Sequence, residues 1–136
     1  MKSRGNKANK DKGSILADVK NLLKILHPAI QKMPKIERIE GAPQELKKAC
    51  YDMIRHYTKA IECQEERLSN IHGMFGDFGV ILAAFELCID YGLLTDSTKL
   101  RIAIQLERIE GGIKRWRNAT RFPKSEVQRE VEVIEA

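Results

Sequence analysis

The chain has 136 residues, 43% hydrophobic and 32% charged, with a net charge of +5 and a pI near 9.2. That length and apolar share set one domain with its own core. Three cysteines, odd in number and with no CxxC pair, exclude a disulfide scaffold and a Zn-spaced Cys/His set. The positive balance fits an acidic partner without requiring one.

Taken in chain order, residues 1–12 (MKSRGNKANKDK) come first, with five basic side chains against one acid. Lys2, Arg4, Lys7, Lys10 and Lys12 thus carry most of the net charge, in a stretch with almost no apolar residue. Such composition predicts a disordered arm over 1–13, suited to lying along phosphate or simply to keeping the chain soluble. The N-terminus runs into polar residues rather than an apolar run, so no secretory leader is expected. A cytoplasmic chain follows, with Cys50, Cys63 and Cys88 as small buried hydrophobes.

A first helix is expected from Ser14, an N-cap residue, with Leu16, Val19, Leu23, Leu26 and Ile30 at steps of three and four. Pro28 falls inside it and removes one backbone donor, and Pro34 helps to end it. A second helix begins at Pro43, a favoured first-turn residue, with Glu45 at the positive end of the dipole. Its stripe reads Leu46, Cys50, Met53/Ile54, Tyr57, Ile61 and Leu68.

The third helix follows Ser69-Asn70 and runs through Ile71, Met74/Phe75, Phe78, Ile81/Leu82, Phe85 and Cys88/Ile89 to a stop near Gly92. Glu86 and Asp90 interrupt its apolar run, so it reads as a core helix and no membrane span is expected. The fourth is capped within TDST (95–98) and carries Ile102, Leu106, Ile109, Ile113 and Trp116 before its pattern fades ahead of Pro123. No segment alternates with period two, and the connections are short. The expected fold is all-α, an antiparallel up-down-up-down four-helix bundle over 14–119, with a flexible mixed-charge tail over 120–136.

The pentapeptide ERIEG occurs twice, at 37–41 and 107–111. The first copy lies in a junction bracketed by Pro34 and Pro43, and the second lies deep in the fourth helix. Their flanks do not match, whereas a true repeat keeps its apolar register across neighbouring turns. The identity is coincidence.

Arg101, Arg108 and Arg115 stand seven apart and share one face of the fourth helix, interleaved with Gln105 and Gly112 and thickened by Lys114 and Arg117. Such a row serves a phosphate backbone or a partner protein. It equally serves as a solvated surface, ion-paired with Glu107, Glu110 or acids of a neighbouring subunit. Gly111 and Gly112 inside a helix cost on the order of 2 kcal/mol relative to alanine, which close approach of another backbone would offset. Gly73, Gly76 and Gly79, three apart, make a smooth face suited to packing between helices or subunits, as does Trp116.

Asp77, on the same helix, is expected to be hydrogen-bonded or paired. Asp52 and His56 share a helix face as half of a metal site, but no helix carries the Glu-x-x-His that a di-iron bundle requires. Walker loops and GxSxG elbows are missing, and DFG at 77–79 lacks the other kinase segments. No catalytic set, cofactor or metal is expected; a metal-dependent bundle enzyme is the least supported class.

Three stretches carry a family resemblance: HPAIQKMPKIER (27–38), SNIHGMFGDFGVILAAFEL (69–87) and QLERIEGGIKRW (105–116). In their order and spacing they resemble the accessory variability determinant (Avd) proteins of diversity-generating retroelements, within the wider group of four-helix-bundle proteins encoded in 23S rRNA intervening sequences. Arg108, Gly111 and Gly112 match the last motif. Glu107 stands where that family has glycine, and Ile113 where it has tryptophan, with Trp116 one turn later.

The resemblance covers about residues 15–118 and implies a non-enzymatic, barrel-like homopentamer. Such a protein binds the retroelement's reverse transcriptase and RNA or DNA, supporting cDNA synthesis in mutagenic retrohoming. The basic arm and the arginine face then become the contacts. The alternative is a stand-alone interaction bundle of the intervening-sequence type with no polymerase partner.

Overall fold

The computed structural model describes residues 7–122 of the chain. They are all-helical: α1 (Lys7–Gln31), a short α2 (Lys35–Ile39), α3 (Ala42–Glu62), α4 (Arg67–Asp90) and α5 (Asp96–Arg121), with no strand among the described residues. The four long helices close into a ring: α1 lies along α5, α5 against α4, α4 along α3, and α3 against α1. Their inward stripes merge into one core, in which Trp116, Leu22, Leu46, Met53, Ile71, Ile81, Ile102, Ile109 and Ile113 are fully enclosed.

Several element ends differ from the sequence expectation. Helix α1 reaches back past Ser14 to Lys7: Lys7, Ala8, Lys10 and Lys12 favour it and no proline stops it, although Asn9, Asp11 and Gly13 are weak helix formers. It also continues through Pro28, which is exposed. Its buried stripe is Ile15, Val19, Leu22, Ile25/Leu26 and Ile30, while Leu16 and Leu23 are only half-buried. The stripe is turned by about one residue because Ile15 seats against Gly112 of α5.

The junction after Pro34 coils into α2, a single helical turn with no buried residue. In α3, Pro43 sits in the first turn after Gly41, as expected, but Ile61 points outward. Leu68 belongs to α4, which begins at Arg67 and is tied to α3 where Arg67 Nε donates to Ala60 O at 2.9 Å.

Two ends follow their chemistry closely. Gly92 takes a left-handed φ of 67° after α4. There Gly92 N–H donates to Ile89 O and Leu93 N–H to Cys88 O, both at 3.0 Å, a Schellman closure that glycine allows. Thr95 caps α5 by accepting from Thr98 N–H at 3.2 Å, and Asp96 follows at the positive end of the helix. All three cysteines are free thiols. Cys50 and Cys88 are buried as expected, whereas Cys63, at the end of α3, is half-exposed.

Candidate nucleic-acid and partner interface

The seven-residue spacing on α5 leaves Arg101, Arg108 and Arg115 all exposed, away from the buried stripe of the same helix. Their edge of the helix borders α1, because Gly112, which interleaves with them, packs on Ile15. Asp18 of α1 is the one charged side chain buried among the described residues. Burial pushes its carboxyl above the ordinary 3.8, and the guanidinium charges of Arg108 and Arg115 pull it part of the way back. The acid facing the row therefore comes from α1, a partner that spacing within α5 could not disclose. Glu110 instead pairs with Lys114 at 3.4 Å on the surface.

Other basic groups lie on the opposite edge of α5, against α4. The Arg117 guanidinium sits 4.8 Å from the centre of the Phe75 ring. Its Nε is buried with no hydrogen-bond partner among the described residues. Arg121 Nη2 donates to His72 Nε2 at 3.0 Å, which requires the His72 ring to carry its proton on Nδ1.

The basic residues thus divide between two edges rather than thickening one face. Arg121, His72 and Phe75 were not among the sequence candidates. Their only signal is spacing, four between Arg117 and Arg121 and three between His72 and Phe75, and it acquires meaning once α4 and α5 are neighbours.

The glycines divide too. A Cβ at Gly73 would lie 2.6 Å from His56 Cδ2, and one at Gly112 would lie 2.8 Å from Ile15 Cγ1, so both permit helix contacts within the chain. Among the described residues, a Cβ at Gly111 meets only its own helix's Arg115, and one at Gly76 or Gly79 meets nothing within 4 Å outside its own stretch of helix. Trp116 is buried and tilted at 56° on Tyr57, ring centres 5.7 Å apart, which makes it a packing residue between α5 and α3.

Seated on Gly73, His56 donates from Nδ1 to Asp77 Oδ2 at 2.6 Å, so Asp77 is paired as expected. Burial raises the Asp77 pKa above 3.8, partly offset by this hydrogen bond. Asp52, one turn before His56, accepts from Arg55 at 2.6 Å, so the two side chains that share this helix face turn to different partners. The His56–Asp77 couple braces α3 against α4, its imidazole edge laid on the α4 backbone. Burial pushes the Cys50 thiol up to about 12 and Cys88 to about 11, so neither offers a thiolate near neutral pH.

Of the arm residues, Lys7, Lys10 and Lys12 fall on the opening turns of α1, and Lys2 and Arg4 lie outside the described residues, as does most of the expected C-terminal tail. Compared with family models, with curated proteins and with solved structures, the chain matches none.

Proposed function

We propose that this chain is a non-catalytic, cytoplasmic, homo-oligomeric accessory subunit of a diversity-generating retroelement, holding reverse transcriptase and template RNA or cDNA together during mutagenic retrohoming. The three resembling stretches and a four-helix architecture support this reading, and the resemblance suggests a barrel-like pentamer. An up-down-up-down order fits the short connections α3–α4 and α4–α5. In that order, with Ile15 beside Gly112, the opening turns of α1 lie next to the last turns of α5. The turns that carry Lys7, Lys10 and Lys12 then stand beside the turns that carry Lys114, Arg115, Arg117 and Arg121 at one end of the bundle.

The observation that carries the reading is the braced cationic end of α5, with Arg117 laid on Phe75 and Arg121 held by His72. Guanidinium groups ordered in advance lose less side-chain entropy when a phosphate arrives.

The test is fluorescence anisotropy of a single-stranded RNA oligonucleotide across a salt series. Affinity should fall steeply with salt, because phosphate contacts release counterions. The double substitution Lys114→Glu and Arg121→Glu should weaken binding about tenfold or more and reduce the salt slope by about two. An affinity and slope equal to the parent's would overturn the RNA contact. Co-purification with a reverse transcriptase encoded beside the gene, and a loss of cDNA without this chain, test the polymerase partnership.

A further inference from the structure

We propose that the outer faces of α4 and α5 are the two halves of one head-to-tail contact between copies of this chain. The proposal rests on the self-association in the reading above and assigns the surfaces that make it.

Along α4, Gly76, Val80, Ala83 and Leu87 follow steps of four, three and four, so they share one face. That face lies opposite the core stripe of Ile71, Met74, Phe78, Ile81 and Phe85, and all four residues are exposed, Val80 at 48% and Leu87 at 43%. A surface helix of a lone soluble chain turns polar residues outward; α4 is apolar on both sides and long and apolar enough, by composition, to cross a membrane. Gly76 and Gly79 sharpen the point. Each costs about 1 kcal/mol relative to alanine inside a helix, and beyond its own stretch of helix no atom of the described residues lies within 4 Å of the position a Cβ would take. The close approach they allow is used by none of the described residues of one copy.

The charges decide what covers this face. Its border holds Glu86 and Asp90, both exposed. The outer face of α5 holds exposed Leu100 (63%), Ala103 and Ile104 (42%), bordered on one side by Arg101 and Arg108, with Glu107 one turn after Ala103 and Ile104. Laying α4 on α4 gathers the acids of both copies around one apolar seam, and laying α5 on α5 gathers the arginines. Laying α4 of one copy on α5 of the next joins apolar to apolar and acid to arginine. Both faces point outward from the bundle, so the described residues of one copy cover neither. Two different patches make a heterologous contact, which closes into a ring when the rotation permits.

The test uses analytical ultracentrifugation of the full chain and of Ala83→Arg and Ile104→Asp, both at exposed positions, with circular dichroism checking that helix content and melting are retained. The parent should assemble, and each variant alone should fall to the mass of one chain. An equimolar mixture should recover a two-chain species and no larger one, because each variant keeps the half that the other lacks. Loss of assembly in Ala83→Arg alone would mean α4 pairs with α4 and would overturn the proposal. Parent-like assembly of both variants would overturn it too, while leaving self-association standing. A parent that stays single at every concentration sinks both readings; if that single chain also floats with phosphatidylcholine vesicles, the α4 face belongs to a membrane.

Discussion

Residues 37–41 and 107–111 are the same five amino acids, Glu-Arg-Ile-Glu-Gly, and the fold treats them oppositely. In the first copy Ile39 ends the single turn of α2 with 57% of its surface exposed, and Gly41 precedes the first residue of α3. In the second copy Ile109 is wholly enclosed in the core and Gly111 continues an unbroken helix. Arg38 has its Nε buried, whereas Arg108 lies on the surface near buried Asp18. Local letters are identical, so the difference comes from the apolar neighbours at three- and four-residue steps. Ile102, Leu106, Ile113 and Trp116 surround Ile109 with a stripe that another helix covers; Pro34 and Pro43 deny Ile39 any such stripe.

The sharpest way to break this comparison is to truncate both isoleucines. Ile109→Ala should cost about 2–5 kcal/mol in urea unfolding, through lost burial and a residual cavity, whereas Ile39→Ala should stay within about 0.5 kcal/mol. Similar costs at the two sites would mean that α2 is packed in solution.

A smaller effect is expected from adding a methyl group at the glycines that end and follow the second copy. Gly112→Ala presses on Ile15 Cγ1 in the core and should destabilise by about 1–3 kcal/mol, despite a helix-propensity gain near 1 kcal/mol. Gly111→Ala meets only the far end of the long Arg115 side chain, at 3.1 Å, and should be neutral or stabilise by up to about 1 kcal/mol. Thermal melts of the pair check this difference, which the close α1–α5 approach at Gly112 sets.

The smallest expected effect lies in the acid facing Arg108. Burial is the largest influence on Asp18 and raises its folded pKa above the ordinary 3.8, so the folded chain holds this proton more tightly than the unfolded chain. The contribution of Asp18 to stability is therefore lost as pH rises from 3.8 through the raised value, and is flat above it. Asp18→Asn should remove that part of the pH dependence, its melting temperature gaining on the parent's across the interval. If the parent instead gains on the variant there, attraction to Arg108 and Arg115 outweighs burial.

Some of this organisation was legible before any coordinates. The steps of three and four at Ile71, Met74, Phe78, Ile81 and Phe85 marked a helix and its buried face, and Gly92 and the TDST stretch marked two ends whose backbone chemistry is local. Ile15 against Leu16, and Leu22 against Leu23, could not be resolved, because adjacent apolar residues fit one helical stripe equally well until a partner helix chooses. The candidate interface was visible as a basic arm and a row of arginines seven residues apart, thickened by Lys114 and Arg117, but without the α1 and α4 side chains that meet them.

Four long helices and their apolar seams follow from the order of residues alone, because hydrophobic periodicity and capping act over a few positions along one chain. Which charges meet was decided by tertiary structure. Asp18 reaches the arginines of α5, Arg117 lies on Phe75, and His56 bonds Asp77 over Gly73, each across segments far apart in sequence. Such pairings depend on how bundled helices are rotated and shifted against each other, and that is settled by the packing of the whole core rather than by any single stretch.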